Sequence, residues 1–313
     1  MNRIEILKDR ALQLAKARSF FFERDVVEVD VPLITSAASV DTHIDLIPIV
    51  DVDGNYRYLH SSPEYGMKRL ISEGIGDIYQ LAHVFRQGEW TNKHNPEFTM
   101  AEWYRIGVPF SQIIQDTVEF IQLFLGNLPV REISYREAIQ TYVGIDYVHA
   151  TEKELFSLLQ SKGIEPYAGV MEEGKDALLN LILGTCVEPQ LGRGELTVLA
   201  YYPSTQAALA QTIVRGDEKA AERFEVYYEG VELANGYHEL ANAKEQRLRL
   251  VEANEQRIEL GKKSLPIDER FLEALEKGMP DCCGVAVGFD RLMMLRHKAG
   301  KLADVLPFDW QMA

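Results

Sequence analysis

The residues best suited to chemistry lie in the stretch 77–105, which reads as strand, polar loop and strand. Arg86 begins the loop, where a guanidinium can act as a bidentate clamp for an anion or take part in an ordinary salt bridge. Side chains two residues apart share one face of a strand. The return strand therefore predicts one shared face, carrying Phe98, Met100, Glu102 and Tyr104. A carboxylate and a phenol beside apolar side chains suit a pocket floor.

A second pattern with chemical potential is the dipeptide Asn-Gly within residues 231–240, since it is the strongest signal for a two-residue hairpin turn. A turn at Asn235 and Gly236 places Glu232 directly opposite Glu239. Like charges in that position destabilise a sheet, so a cation is expected between them. Two carboxylates suit Mg²⁺. Two solvent-exposed acids are the alternative interpretation.

A third pattern is the glycine-rich strand predicted over residues 284–288, followed by a helix. Its small residues permit close approach of a flat ligand. Asp290 is predicted to cap the helix, and Arg291 lies in its first turn. A cation there opposes the helix dipole, which is tolerable where it meets a bound anion. Pairing of Arg291 with a surface acid is the alternative.

Composition excludes several classes of protein. The 313 residues carry 33 basic and 48 acidic side chains, a net charge of −15, which disfavours nucleic-acid binding. The sequence contains no apolar run long enough to span a membrane, and its charged first segment does not resemble a secretory signal. Three cysteines, two of them adjacent, indicate a reduced cytoplasmic protein. The sequence shows no zinc spacing and no nucleophile triad, and His83 and His94 are interpreted as structural.

Irregular alternation of helices and strands favours the α+β class with an antiparallel sheet rather than a doubly wound parallel one. Helices are predicted over residues 4–24, 62–71, 111–125, 176–183, 241–260, 268–276 and 289–297. Further strands are predicted over residues 27–31 and 195–202, from Phe224 onward, and in a hairpin that turns at Asp53 and Gly54. Residues 127–175 are interpreted as an insertion, with capping boxes at Ser134 with Glu137 and at Thr151 with Glu154.

Five segments, in this order, resemble class II aminoacyl-tRNA synthetases and more closely their lysyl branch. They are residues 29–33 (similar to motif 1), 61–70, 85–104 (similar to motif 2), 230–240 and 284–292 (similar to motif 3). The resemblance covers nearly the whole chain. It implies a single catalytic domain over residues 1–313, an antiparallel sheet flanked by helices, and a homodimer built on motif 1.

Length sharpens the resemblance, because motif 1 begins at Val29 and leaves no room for an anticodon-binding domain before it. The acidic chain also lacks the positive charge that tRNA phosphates favour. The chain is therefore similar to the truncated lysyl-synthetase paralogues that modify elongation factor P. Those enzymes use ATP to activate lysine-type amino acids, preferably (R)-β-lysine, and attach them to a lysine of the factor. Ala286, where tRNA-charging enzymes usually have Gly, supports this resemblance.

The resemblance implies roles for individual residues. Arg86 would clamp the α-phosphate and the substrate carboxylate, and Arg291 would meet the γ-phosphate. Glu232 and Glu239 would carry Mg²⁺. The other implied ATP contacts are Gln87, Gly88, Asn95, Phe98, Leu233 and Gly288. The implied contacts for the amino acid are Ser62, Pro63, Glu64, Glu102, Tyr104 and Glu239.

One position departs from the family pattern. The family usually places Glu two residues after the motif 2 arginine, where it contacts adenine, but this chain has Gly88 followed by Glu89. Either Glu89 or the backbone at Gly88 takes that contact. Two alternatives to the ligase also stay open: a short synthetase charging tRNA or a free amine, and a catalytically silent regulatory paralogue.

Overall fold

The computed structural model of the chain describes residues 2–37 and 39–313. The helices are α1 (Arg3–Phe22), α2 (Glu64–Ser72), α3 (Phe110–Leu125), α4 (Tyr135–Val143), α5 (Glu152–Ser161), α6 (Lys175–Ile182), α7 (Ala243–Glu259), α8 (Glu269–Gly278) and α9 (Phe289–Arg296). The strands are β1 (Val27–Glu28), β2 (Ile34–Thr35), β3 (Pro48–Val50), β4 (Tyr56–Leu59), β5 (Ile78–Phe85), β6 (Glu97–Ile106), β7 (Val130–Ser134), β8 (Leu196–Pro203), β9 (Thr212–Arg215), β10 (Glu218–Tyr228), β11 (Val231–His238) and β12 (Cys282–Gly288).

The chain divides into two units. The first unit comprises Met1–Gly126 and Glu239–Ala313, and the second comprises Asn127–His238. The prediction of one catalytic domain with an insertion at 127–175 stays a prediction. None of the helices in the described part of the chain is both long and apolar enough to cross a membrane.

In the first unit, strands run in the order β1-β5-β6-β12. β6 pairs antiparallel with both β5 and β12, while the short β1 lies parallel to β5. A separate small sheet has the order β2-β4-β3. Its hairpin turns at Gly54, whose φ of 82° only glycine adopts readily, as predicted. Strands and helices in this arrangement confirm the predicted α+β class.

The two faces of β6 differ, because neighbouring side chains of a strand point in opposite directions. Trp103 is buried on one face, with its ring centroid 5.2 Å from that of Phe21 on α1 and 5.2 Å from that of Phe120 on α3. Burial of such a ring is worth roughly 2–3 kcal/mol, so this face anchors the helices. Glu102 and Tyr104 lie on the other face of β6, as the alternation of side chains predicted.

In the second unit, strands run in the order β11-β10-β8-β7, with β9 also paired to β10. Both predicted capping boxes are confirmed: the hydroxyls of Ser134 and Thr151 accept the N–H groups of Glu137 and Glu154, which reciprocate. Apolar side chains of α4, α5 and α6 form the core of this unit, among them Ile139, Leu155 and Leu179.

The predicted hairpin turn at Asn235 and Gly236 is wrong. Both residues lie inside the continuous strand β11, opposite Glu225 and Phe224 of β10. The turn falls at Glu229 and Gly230, whose φ angles of 49° and 67° suit a type I′ turn. The Glu229 carboxylate accepts the N–H of Gly194 at 3.1 Å, so contacts outside the turn stabilise it and override the local signal. The prediction that this turn places Glu232 directly opposite Glu239 is therefore wrong as well. The expectation of a cation between them loses its basis in cross-strand repulsion.

Several predicted boundaries also need correction. Phe224 lies in the middle of a strand that begins at Glu218, not at a strand start. Ser111, where the predicted helix began, lies inside α3. The N-cap of α3 is Pro109, whose backbone is still extended. The strand predicted over 27–31 pairs with β5 only at its first two residues. The other predicted helices agree with α1, α2, α6, α7, α8 and α9 to within a few residues.

Candidate active site

The predicted pocket floor lies where β6 is paired with β5 and β12. Directly paired residues of antiparallel strands share a face. Glu102 is paired with Gln80 on one side and Ala286 on the other, and Tyr104 is paired with Gly284. Gly288 is likewise paired with Met100. The structure thus brings the predicted row of β6 side chains together with the small residues of β12.

Glu102 is a buried carboxylate with two hydroxyl donors. It accepts a hydrogen bond from Ser62 Oγ at 2.8 Å and one from the Tyr104 hydroxyl at 2.7 Å. Burial, followed by the nearby carboxylate of Glu64, raises the pKa of Glu102 to about 8. A carboxyl in this state gives up its proton readily when a cation arrives.

Ser62 and Pro63 explain how α2 is held at the floor. Pro63 stands at the N-cap of α2, where its missing N–H costs nothing. The Ser62 hydroxyl accepts the N–H of Glu64 at 3.0 Å while it donates to Glu102. The first turn of α2 is therefore fixed against β6, with Ser62 bonded to Glu102 and Glu64 close enough to affect its charge.

A buried lysine, which sequence reasoning missed, completes this cluster. Lys68 is fully buried, and its Nζ lies 2.6 Å from Glu64 Oε1 and 2.6 Å from Glu239 Oε2. Burial alone would lower the pKa of Lys68, but the charges of Glu239 and Glu64 raise it above its usual value. The available signal was the spacing of four residues between Glu64 and Lys68 on one helix face.

The cluster holds more negative than positive charge. Glu64, Glu102 and Glu239 supply three carboxyl groups, whereas Lys68 supplies one ammonium within ion-pair distance. With all groups ionised, two negative charges are uncompensated. Buried charges require partners, so this face of the pocket favours a ligand with ammonium groups.

Gly284 makes room for the cluster. A Cβ atom at this position would meet the ring of Tyr104 and would lie 2.5 Å from Glu239 Oε1. The glycine of β12 is therefore needed for close packing rather than for an unusual backbone angle. Protein side chains fill the space beside Gly284, so the predicted close approach of a flat ligand to β12 stays a prediction.

Arg86 lies above the apolar end of the same face. Its Cζ is 5.2 Å from the centroid of the Phe98 ring, and its Nη1 is 3.8 Å from Glu89 Oε1, a long ion pair. The buried Nε of Arg86 has no hydrogen-bond partner among the residues that the structure describes. An open, buried Nε donor on a half-buried arginine fits a bound anion, as buried polar atoms otherwise find partners.

Backbone hydrogen bonds hold the start of the loop after Arg86 in place. The N–H of Arg86 donates to the carbonyl of Pro96 at 2.9 Å, and the N–H of Gln87 donates to the carbonyl of Asp45 at 2.8 Å. Gly88 has a φ of 78°, which explains glycine there in place of the family's usual Glu. The adenine contact assigned to Glu89 or Gly88 stays a prediction.

Arg291 reaches this loop from the first turn of α9. Its Nη2 lies 2.7 Å from Nε2 of His94, whose Nδ1 lies 2.8 Å from Thr91 Oγ1. Burial and the charge of Arg291 lower the pKa of His94, so the imidazole is neutral and accepts from Arg291. The structural interpretation of His94 agrees with this geometry, and Arg291 lies on the side of the pocket that holds Arg86.

Two further residues differ from expectation. Asp290 does not cap α9, because its carboxylate accepts the N–H of Thr99 at 2.7 Å and pairs with Arg10 of α1. Asn95 uses its side chain within the protein, accepting the N–H of Trp310 at 3.0 Å and donating to the carbonyl of Glu97 at 2.6 Å.

The remaining predicted residues are Glu232 and Leu233, which lie on β11 of the second unit. Glu232 is paired in register with Tyr227, and Leu233 is buried. No group of three or more acidic, histidine or cysteine side chains within the described ranges is arranged to hold a metal. The carboxylates of Glu232 and Glu239 are nevertheless ligands of the type that Mg²⁺ prefers alongside phosphate oxygens.

Comparison with known proteins defines the class. Residues 2–311 match the family described as tRNA synthetases class II (D, K and N), and this chain belongs to that family. Among curated relatives, the elongation factor P–(R)-beta-lysine ligase of Haemophilus influenzae is 42% identical over 305 residues, which cover 96% of this chain and 93% of that protein. The ligase of the same name from Klebsiella pneumoniae is 41% identical over 307 residues, with 96% and 94% covered. These matches confirm the family resemblance found in the sequence.

Proposed function

We propose that this protein is an ATP-dependent ligase that activates lysine or (R)-β-lysine as an adenylate and transfers it to a lysine side chain of elongation factor P. Family membership and relatives of that name, over nearly the full length of both chains, support the reaction. The observation that carries the choice of substrate is the pocket's excess of carboxylates over Lys68. A diamino acid carries ammonium groups, which suit a site where carboxylates outnumber the ammonium of Lys68.

In the first step, an oxygen of the substrate carboxylate attacks the α-phosphorus of ATP, and the bond to pyrophosphate breaks. No enzyme nucleophile is needed, so the residues act by orientation and by charge. Arg86, whose Nε is buried and has an open donor, would contact the α-phosphate and the attacking carboxylate. Arg291 would stabilise the γ-phosphate as pyrophosphate leaves.

The nucleotide would lie along the loop after Arg86. Phe98, which already lies beneath Arg86, would stack on adenine. Gln87, Gly88, Asn95, Leu233 and Gly288 complete the proposed ATP contacts. Glu232 and Glu239 would hold Mg²⁺, which, when bound, neutralises charge on the phosphates.

Glu102, Tyr104 and Glu64 would orient the amino groups of the substrate. The pKa of about 8 for Glu102 means that binding of an ammonium group displaces its proton. In the second step, a neutral lysine ε-amine of the acceptor attacks the adenylate carbonyl carbon. An amide bond forms, AMP leaves, and the amine loses a proton to solvent or to a base of the acceptor complex.

A homodimer and a cytoplasmic location are part of this proposal. The dimer is supported by the resemblance of residues 29–33 to motif 1. The location is supported by the cysteine content.

Pyrophosphate exchange with lysine and (R)-β-lysine side by side, followed by transfer to purified elongation factor P, tests the proposal. We expect exchange that depends on either isomer and label that appears on the factor. Absence of exchange with both isomers would refute the enzymatic proposals and favour a silent paralogue. Label on tRNA, with none on the factor, would favour the short synthetase.

A further inference from the structure

A buried arginine at the end of α7 is bound mainly to one loop. Arg257 is only 3% exposed. Its Nη1 donates to the carbonyls of Asp41 and Ile44 at 2.8 and 2.9 Å. Its Nη2 donates to Asp45 Oδ1 at 2.8 Å, and its Nε donates to the carbonyl of Lys263 at 2.9 Å. Three of these four bonds go to residues 41–45, so the buried guanidinium holds that loop in one conformation.

The same loop has a second set of attachments to the α7 end. Lys262 Nζ lies 3.2 Å from Asp45 Oδ2 and donates to the carbonyl of His43 at 2.8 Å. Thr42 Oγ1 donates to Gln256 Oε1 at 2.9 Å. Although burial alone would raise the pKa of Asp45, the hydrogen bonds from Arg257 and Lys262 lower it. Asp45 is therefore a carboxylate at neutral pH and keeps both attachments.

The loop 41–45 is also bonded to the pocket. The carbonyl of Asp45 accepts the N–H of Gln87 at 2.8 Å. Gln87 directly follows Arg86, whose own N–H is held by the carbonyl of Pro96. The backbone on the loop side of Arg86 thus depends on where Asp45 is placed, and Asp45 is placed by Arg257.

We propose that Arg257 is a positioning residue for Arg86, acting through the loop 41–45 and the backbone of Gln87. This inference rests on the proposed role of Arg86 in binding ATP. The hydrogen bonds of Arg257 go to Asp41, Ile44, Asp45 and Lys263, none of which is a proposed contact of ATP or of the amino acid. Its effect arises because a shift of about 1 Å in a group that orients a substrate can cost roughly a hundredfold in rate.

The test compares ATP affinity, measured by calorimetry, in variants of the full chain. We expect Arg257→Gln to weaken ATP binding about tenfold. In an Arg86→Ala background the same change should weaken binding less than about twofold, because the group being positioned is absent. Its effect on the melting temperature should be equal in both backgrounds. Arg247→Gln is the matched control, since Arg247 lies exposed on the same helix and pairs with Glu269.

A second variant keeps the test decisive where Arg257→Gln fails to fold. Asp45→Ala removes a side chain that is 40% exposed, yet keeps the carbonyl that accepts from Gln87. We expect the same background-dependent loss of ATP affinity, with Asp53→Ala in the neighbouring exposed hairpin as control. Losses that are equal with and without Arg86, or no losses, would overturn the positioning role. Failure of the wild-type protein to catalyse lysine-dependent exchange would instead refute the proposed function.

Discussion

The ammonium of Lys68 lies 2.6 Å from the carboxylate of Glu239, and neither side chain is more than 1% exposed. The pair joins α2 to the segment that precedes α7. A buried ion pair contributes little compared with apolar residues of the same size, but removal of one partner leaves an uncompensated charge. Burial of Lys68 between two carboxylates costs desolvation free energy. A protein that keeps such a cluster is consistent with a site whose charge is matched to that of its ligand.

Lys68→Met should destabilise the protein by about 3–5 kcal/mol at neutral pH, because it leaves Glu64 and Glu239 without their shared cation. Urea unfolding measures this change. The double variant with Glu239→Gln should recover part of the loss, since one unpaired charge is then removed. Lys277→Met, at an exposed position of α8, is the control and should change stability by less than about 0.5 kcal/mol. If Lys68→Met were as stable as Lys277→Met, Lys68 could not be the shared cation of Glu64 and Glu239.

The raised pKa of Glu102 predicts a stability that depends on pH. The pKa is about 8 in the folded protein against an ordinary value of 4.5. Above pH 4.5 the unfolded chain releases this proton while the folded protein keeps it. Stability from this group is therefore complete below pH 4.5 and is lost as pH rises through about 8. Glu102→Gln should flatten that slope in urea unfolding series at successive pH values.

The same variant should weaken binding of the amino acid. In the wild-type protein, KM for the amino acid should fall as pH rises toward about 8, because ionised Glu102 pairs with an ammonium group. Glu102→Gln should raise KM roughly 10- to 100-fold at that pH and remove the dependence. Glu97→Gln, on an exposed position of the same strand, serves as control. A KM profile unchanged by Glu102→Gln would rule out contact with the substrate.

Arg86→Ala should reduce adenylate formation about 10²- to 10³-fold, because a donor aimed at developing phosphate charge is lost. Pyrophosphate exchange measures this loss. The fold should persist, as the Nε of Arg86 makes no hydrogen bond to the described residues that the variant could break. Arg131→Ala, at an exposed position, should leave exchange unchanged. Exchange near the wild-type rate in Arg86→Ala would disprove the clamp.

Local periodicity was sufficient to predict which side chains share a face of β6. Alternation along β6 placed Glu102 and Tyr104 on one face, and the structure has them there, paired with the small residues of β12. The helices likewise followed from apolar spacing and from capping boxes. These features depend on neighbours close in sequence, which is why one sequence sufficed to predict them.

Features that depend on distant contacts were missed. The Asn-Gly signal failed because Glu229, bonded to Gly194, forms the turn instead. Lys68 escaped notice because its second partner, Glu239, is far away in sequence. The partnerships of Arg257 with the loop 41–45 were invisible for the same reason. Tertiary contacts of this kind override or add to local propensity.

Gly284→Ala tests whether close packing at β12 sets the geometry of the pocket. The added methyl group would lie 2.5 Å from Glu239 Oε1 and would also meet the ring of Tyr104, so both side chains must move. We expect a loss of about 1–3 kcal/mol in stability and a higher KM for the amino acid. Gly300→Ala is the matched control, because a Cβ there meets no described atom within 4 Å. If both variants matched the wild-type protein in unfolding and in KM, the carboxylate of Glu239 would have to be free to move, and it could not fix the substrate amine.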